Sequence, residues 1–331
     1  MRITPFALSL LLFTPAYLHA QSNEQTEKIL AAWRTWAAKH NVETAISIGH
    51  NGTILASGSQ GRNPNKAYPL ASLSKAITGV CVLRITQENG IAFDTPLSAL
   101  QPEFDKVNID IPAKLRDRTL ASLLTMTSGL NPDRTQSEMN RTYRIGDTRN
   151  IGFSKTALNS KGLGGTPGDF FYNNGNYALL GALLEALTDT DNVTACRDRV
   201  FPKGHRSTVA FDSDWMAFAA FGGWASSTTD YTAFLMDAFK PGGDIAANLT
   251  TLPNYAAPSG WFYGLGTHFR LRQPQNVFWH AGALCKVSGE DVGTYFAYYP
   301  NGYAVTVSYN KCAVGDIGIE LDTVLFNGAN N

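Results

Sequence analysis

Stretches rich in β-branched and aromatic residues stand near both ends of this 331-residue chain, with a long helical pattern between them. Near the N-terminus, residues 44–50 and 53–57 flank Asn51-Gly52, and an Asn-Gly pair between two β-prone runs is a strong signal for a hairpin. Three further runs separated by turn residues predict an antiparallel meander near the C-terminus: 276–281, 292–299 and 303–309. The sequence therefore predicts one sheet that takes strands from both ends of the chain.

Apolar residues recur at helical spacing before the hairpin, after the meander and through most of the middle. The predicted helices are 24–40, 74–88, 119–126, 177–187, 228–239 and 315–326. This order predicts an α+β fold in which helices flank an antiparallel sheet and an all-helical lobe is inserted into it. We expect residues 21–69 and 240–331 to form the sheet lobe and residues 70–239 to form the helical lobe.

The first twenty residues have the layout of a secretory signal peptide. Arg2 precedes a run from Phe6 to Phe13 that is apolar except for Ser9, and the segment closes on the small residue Ala20. Residues 1–20 are therefore predicted to be a signal peptide, and the mature protein is predicted to be periplasmic or secreted. No later stretch approaches the roughly 20 apolar residues of a membrane helix, so no stable membrane insertion is expected after signal removal.

Composition excludes two broad classes of protein. Because 44% of the residues are apolar and 16% are charged, the chain can bury enough surface to fold, which excludes disorder. The 27 basic residues balance the 27 acidic ones, so the chain has no general attraction to nucleic acid or to an anionic membrane surface. A small-molecule or peptide substrate is expected from the motifs that follow, not from the charge.

The four cysteines do not form a pattern that binds zinc. An exported protein can form disulfides, and Cys285 and Cys312 each follow a predicted strand near the C-terminus, which favours a bridge between them. Buried thiols are the alternative, since sequence does not fix the pairing. Cys81 follows a helical run and is predicted to be a small core residue.

The clearest short motif is Ser72-Leu73-Ser74-Lys75 at the start of a predicted helix. Residues three apart share one helical face, so the Ser72 hydroxyl and the Lys75 amine can touch. Backbone N–H groups at a helix N-terminus add stabilisation for developing negative charge. A nucleophile beside a base would suit acyl transfer, although a solvated lysine on a helix face is the favoured interpretation when the motif stands alone.

Two later segments add polar residues in turn or strand-end positions. Tyr172 and Asn174 lie two apart in a turn before a helix, and the run from His280 to Ala283 ends a predicted strand with Gly282 inside it. A glycine at that point lets another backbone approach closely. With 72–75, 123–130 and 222–230, these segments resemble, in order and spacing, the serine β-lactamase and penicillin-binding peptidase family, in its class C-like branch.

The resemblance extends from about residue 46 to residue 309 and implies a β-lactamase/transpeptidase-like fold. It implies that Ser72 is the acylated nucleophile and that Lys75 activates it. It implies that Tyr172 is a second general acid/base, which could be ionised at neutral pH only if cations such as Lys75 lower its pKa. Whether Lys75 or Tyr172 takes the serine proton stays open.

The same resemblance implies a substrate-binding set around the nucleophile. Asn174 would hydrogen-bond the substrate amide, and His280 would stand where many relatives carry a cation. Gly282 and Ala283 follow, and the N–H groups of Ser72 and Ala283 would form the oxyanion hole. Simpler readings are a turn that caps the next helix and a histidine that only satisfies a carbonyl.

Three positions depart from the family pattern. His280 replaces the lysine of class C β-lactamases and is more typical of the D-Ala-type peptidases, D-amino-acid peptidases and esterases of the family. The run 283–286 stands where relatives often continue Gly-x-Pro-Gly. Met126 stands where histidine is common, and we interpret it as a packing residue.

The sequence thus predicts an exported serine acyl hydrolase that needs no metal or cofactor and works through a covalent acyl-enzyme. The leading substrates are D-amino-acid peptides, as in a D-alanine carboxypeptidase. An esterase, an amidase or a weak β-lactamase is the alternative among enzymes. A penicillin-binding sensor or scaffold without turnover is the alternative of another class.

Overall fold

A computed structural model describes residues 15–139, 149–206, 213–247, 252–271, 276–287, 290–312 and 315–330. Most of the predicted signal peptide, residues 1–14, lies outside the described residues, and residues 15–20 form the start of the first helix. Across these ranges, no helix combines the length and the apolar character that crossing a membrane requires.

The α-helices are α1 Pro15–His40, α2 Ser74–Glu88, α3 Gln101–Asp105, α4 Leu120–Leu124, α5 Thr135–Met139, α6 Ile151–Ala157, α7 Asn174–Thr188, α8 Asn192–Val200, α9 Thr228–Ala238, α10 Asp244–Ala247 and α11 Asp316–Asn330. The strands are β1 Thr44–His50, β2 Thr53–Gln60, β3 Tyr68–Pro69, β4 Ala225–Ser226, β5 Tyr255–Ala256, β6 Phe262–Gly264, β7 Thr267–Arg270, β8 Val277–Val287, β9 Glu290–Tyr298 and β10 Tyr303–Tyr309.

The main sheet joins strands from both ends of the chain, as the sequence predicts. Its order is β2-β1-β10-β9-β8-β7-β6-β5, and the neighbouring strands are antiparallel. The N-terminal hairpin meets the C-terminal meander where β1 pairs with β10, with Ile46 opposite Val307. The hairpin turn itself is confirmed, since Asn51 and Gly52 both have positive φ, at 49° and 81°.

The sheet is covered on both faces. One face packs against α1 and α11 through apolar residues such as Trp33, Val305 and Leu321. The other face, with Phe278 and Phe296, packs against the helical segment. The helical segment is thus a second layer on the sheet, which confirms the predicted α+β fold.

The chain leaves the sheet and returns to it at one place. The short strands β3 and β4 pair with each other, Tyr68 opposite Ser226, so the beginning and the end of the helical segment are tied together. Directly after β3, a 3₁₀ turn, Ala71–Leu73, contacts β8 and β9 and runs into α2. The junction between the sheet and the helices therefore lies at Ser72.

Two disulfides join parts of the fold. The bridge between Cys285 and Cys312 is confirmed, with their Cα atoms 5.0 Å apart. The prediction that Cys81 is an unpaired core residue is wrong: Cys81 is buried in the core and is also bonded to Cys196. The pairing follows from the packing of α2 against α8. A bridge that closes a loop of about 100 residues stabilises the folded state by roughly 4–5 kcal/mol, because it restricts the unfolded chain.

Candidate active site

The 3₁₀ turn that carries Ser72 is held on several sides. The Leu70 N–H donates to the Trp224 carbonyl at 2.8 Å, and the Tyr231 hydroxyl donates to the Leu73 carbonyl at 2.9 Å. Between them, the buried Ala71 has φ 49°, a left-handed conformation that is unfavourable for a residue with a Cβ. The surrounding contacts therefore impose a strained backbone immediately before Ser72, and such strain is concentrated at functional sites.

Lys75 lies one helical turn after Ser72, as the motif spacing predicts. Its Nζ donates to Ser72 Oγ at 3.1 Å and to the Phe221 carbonyl at 2.7 Å. The side chain is completely buried, and this burial lowers the pKa of Lys75 to about 7, although the negative charge of Asp133 opposes the shift. A substantial fraction of Lys75 is therefore the neutral amine at neutral pH, which can accept a proton from Ser72.

The carbonyl that orients Lys75 belongs to a π-helical turn, Ala219–Gly223, which a buried polar network supports. Asn150 Oδ1 accepts the Ala220 N–H at 3.2 Å, while Asn150 itself donates its N–H and its Nδ2–H to the carboxylate of Glu185 at 2.8–3.1 Å. Burial raises the pKa of Glu185 to about 7, partly offset by these donors. The network fixes the backbone that holds the lysine.

Tyr172 lies beside this pair. Lys75 Nζ is 5.0 Å from the centre of the Tyr172 ring, and the phenol oxygen is buried without a hydrogen-bond partner among the described residues. Burial raises the pKa of Tyr172; nearby Ser72 lowers it and the charge of Asp133 raises it further. The condition for an ionised phenol, a pKa lowered by cations such as Lys75, is therefore not fulfilled, and the phenol keeps its proton at neutral pH.

Asn174 begins α7 and is almost completely buried. Its N–H donates to Asp133 Oδ2 at 3.0 Å. The residue that caps α7 is Asn173, whose Oδ1 accepts the Gly175 N–H at 2.8 Å. Because Asn173 supplies the cap, capping does not explain the asparagine at position 174.

His280 lies on β8 with its ring 6.0 Å from that of Tyr172. Its Nδ1 is 2.6 Å from the Ala281 carbonyl, so Nδ1 carries the proton and donates. Burial lowers the pKa of His280 well below its usual value, and the charges of His268 and Lys75 lower it further. His280 is therefore a neutral imidazole, and its buried Nε2 has no partner among the described residues.

Gly282 permits β8 to approach the turn that carries Ser72. A Cβ at this position would lie 2.4 Å from Thr294 Oγ1, 2.8 Å from the Leu70 carbonyl oxygen and 3.0 Å from the Ser72 nitrogen. The pairing of β8 with β7 ends at Trp279, so beyond that point β8 keeps its other neighbour, β9. The β8 backbone from Gly282 onward, including Ala283, thus runs along the turn that carries Ser72.

The structure brings together residues that lie far apart in the sequence. Ser72, Lys75, Tyr172 and His280 form one cluster, and Gly282 lies against the Ser72 backbone. A nucleophile, a neutral amine and a phenol in this arrangement can carry out acyl transfer.

Two residues of this cluster were not identified from the sequence. Asp133 influences both Lys75 and Tyr172, and the signal that could have identified it is its position three residues after the run 123–130. Tyr263 has a buried hydroxyl without a partner among the described residues, and its ring lies 6.2 Å from that of Tyr172. No local pattern marks Tyr263 because it lies on a short strand of an aromatic stretch.

Comparisons with known proteins identify a family and proteins of similar fold. The beta-lactamase family model matches residues 34–319. Protein flp of Staphylococcus aureus (strain N315) is 28% identical over 179 residues, a match that covers 50% of this chain and 34% of flp. The chain therefore spans about a third of the length of that relative.

Solved structures share the fold at low sequence identity. SurE, crystallised with D-Leu, has a TM-score of 0.69 at 19% identity, and the match covers 92% of this chain and 76% of SurE. A D-stereospecific amidohydrolase from Streptomyces sp. has a TM-score of 0.66 at 19% identity, and the match covers 87% of this chain and 94% of that protein.

Proposed function

Because the chain belongs to the beta-lactamase family, we propose that it is an exported serine acyl hydrolase that acts on D-amino-acid peptides and related amides through an acyl-enzyme on Ser72. The observation that carries this proposal is the contact of 3.1 Å between Ser72 Oγ and the buried Nζ of Lys75. A buried lysine with a pKa of about 7 can serve as a base at neutral pH.

In the proposed acylation, one proton passes from Ser72 to the leaving amine, and the C–N bond of the substrate is replaced by a C–O bond to Ser72. Ser72 Oγ gives its proton to the neutral Lys75 amine and forms a bond to the substrate carbonyl carbon. The carbonyl oxygen becomes an oxyanion, which the N–H groups of Ser72 and Ala283 stabilise. When the C–N bond breaks, Tyr172 donates its proton to the leaving amine and recovers one from the Lys75 ammonium.

Deacylation repeats this chemistry with water. The neutral Lys75 amine accepts a proton from water, and the hydroxide oxygen bonds to the acyl carbon. The ester bond to Ser72 breaks, Ser72 regains its proton and the carboxylic acid leaves. Lys75 is thus the base in both halves, and Tyr172 relays the proton. Asn174 would bind the amide of the substrate.

Two kinds of support favour a D-amino-acid substrate. His280 takes the place of the class C lysine, a replacement typical of the family's peptidases and esterases. Of two proteins of similar fold, one was crystallised with D-Leu and the other is a D-stereospecific amidohydrolase.

The two disulfides support an oxidising compartment and therefore export.

The test compares mirror-image substrates that carry no charge. We expect the enzyme to hydrolyse the p-nitrophenyl ester of N-acetyl-D-alanine with a kcat/KM at least about tenfold above that of the L-enantiomer. The reason is that a chiral site that fits the D-enantiomer fits the L-enantiomer poorly. Ser72→Ala should remove both activities. Equal values of kcat/KM for the two enantiomers would contradict the proposed substrate class. Hydrolysis that persists in Ser72→Ala would contradict the mechanism.

A further inference from the structure

We propose that Asp133 is the specificity-determining residue of this cleft and binds the α-ammonium group of a D-aminoacyl substrate, so that the enzyme releases residues from the amino end. This inference rests on the proposed function and narrows it. A D-alanine carboxypeptidase would instead bind a terminal carboxylate on the leaving side of the scissile bond.

The first support is the position of the Asp133 carboxylate. Oδ2 accepts the Asn174 N–H at 3.0 Å, and Oδ1 accepts the N–H and the hydroxyl of Thr135 at 2.9 and 2.7 Å. These donors are neutral, and within the described ranges no lysine or arginine forms an ion pair with it. The carboxylate is thus fixed and half-buried, and it lies next to the residue expected to bind the substrate amide.

The second support is that His280 presents a hydrogen-bond acceptor to the cleft. Its Nδ1–H is used by the Ala281 carbonyl, so the buried Nε2 has a lone pair and no partner among the described residues. A carboxylate offers only acceptors and would be repelled by both Nε2 and Asp133. An ammonium group offers three donors, so it is chemically compatible with both acceptors.

The third support is the charge near Ser72. Where relatives carry a lysine, His280 is neutral, and Lys75 is partly neutral because burial lowers its pKa. The charge that acts on both Lys75 and Tyr172 is that of Asp133. A positive charge on the substrate would therefore be attracted to Asp133.

The alternative is that Asp133 only positions Asn174. Asp133→Asn separates the two roles because the amide oxygen can still accept the Asn174 N–H while the negative charge is lost. Removing the charge also changes the pKa of Lys75, but that effect is common to all substrates and cancels in a ratio of two substrates. A positioning role predicts an unchanged ratio, and ammonium binding predicts that the ratio collapses.

The experiment uses the p-nitroanilides of D-alanine and N-acetyl-D-alanine; acetylation removes the positive charge of the amino group and adds an acetyl group. We expect wild-type protein to have a kcat/KM at least about tenfold higher on the free amine, and Asp133→Asn to reduce that ratio by about tenfold or more, mainly through KM. Asp110→Asn, which removes a carboxylate from a side chain that is 85% exposed, should keep the wild-type ratio.

A wild-type enzyme that prefers the acetylated anilide, or an unchanged ratio in Asp133→Asn, would overturn the inference. A wild-type preference for the acetylated anilide needs no variant, so it would overturn the inference even if Asp133→Asn does not fold. If the D- over L-preference on uncharged esters holds while the ammonium preference fails, only the role of Asp133 is refuted. If no substrate is hydrolysed and Ser72 is not acylated, the proposed function itself is refuted.

Discussion

At the scale of residues, the site is a set of polar groups whose protonation is decided by burial. The spacing of Ser72 and Lys75 was enough to predict their contact because it depends only on helix geometry. The neutral states of Lys75 and His280 could not be predicted, since burial depends on residues from distant segments. For the same reason the sequence left open whether Lys75 or Tyr172 is the base, and the directions of their pKa shifts favour Lys75.

The pH profile of acylation tests this assignment. Because Lys75 must be neutral to act as a base, kcat/KM on an uncharged ester should fall about tenfold per pH unit below the pKa and level off above it. The midpoint should lie at about 7, and in Asp133→Asn it should move to lower pH, because the negative charge of Asp133 raises the pKa of Lys75. A midpoint near the ordinary lysine value of 10.5 would contradict the assignment.

At the scale of elements, β8 and the turn before α2 must approach each other closely. The sequence predicted β8 from its β-branched and aromatic residues, and it predicted α2 from its apolar period. It did not predict β5, β6 or β7, because these strands are two to four residues long and lie among glycines and turns. The disulfide between Cys81 and Cys196 was also missed, since its partners meet only when α2 packs on α8.

Gly282 provides the test at this scale. In Gly282→Ala the new Cβ would lie within 3.0 Å of backbone atoms of Leu70 and Ser72, so β8 must move away from the nucleophile. A shift of about 1 Å can reduce acyl transfer by on the order of 10²-fold, and we expect a loss of this size in the rate of Ser72 acylation.

The thermal midpoint of Gly282→Ala, measured in parallel, separates a local effect from unfolding. A folded variant that acylates at the wild-type rate would show that the approach of β8 to Ser72 is not needed for the reaction.

At the scale of the whole molecule, the chain forms a sheet from its two ends and places a helical segment between them. This organisation was predictable because the edge strands of the Asn51-Gly52 hairpin and of the C-terminal meander have unpaired backbone N–H and C=O groups. Pairing the two units with each other provides hydrogen-bond partners for these groups. The order of the strands and the depth of the cleft were not predictable, since they depend on how the helical layer packs. The strands β3 and β4, which pair the beginning of the helical segment with its end, are only two residues long.

The fold places the nucleophile at the junction of these two layers. Ser72 and Tyr172 come from the helical segment, and His280 comes from the sheet. The net charge of zero over the full sequence provides no long-range steering, so the proposed selection of a charged substrate would depend on local groups such as Asp133.

The most direct test of Ser72 as the nucleophile is mass spectrometry of the intact protein after treatment with a fluorophosphonate, followed by peptide mapping. We predict a single adduct, on Ser72, that is absent in Ser72→Ala and forms about 10²- to 10⁴-fold more slowly in Lys75→Met, which lacks the base. An adduct on another residue, or one that persists in Ser72→Ala, would contradict the assignment of Ser72 as the nucleophile.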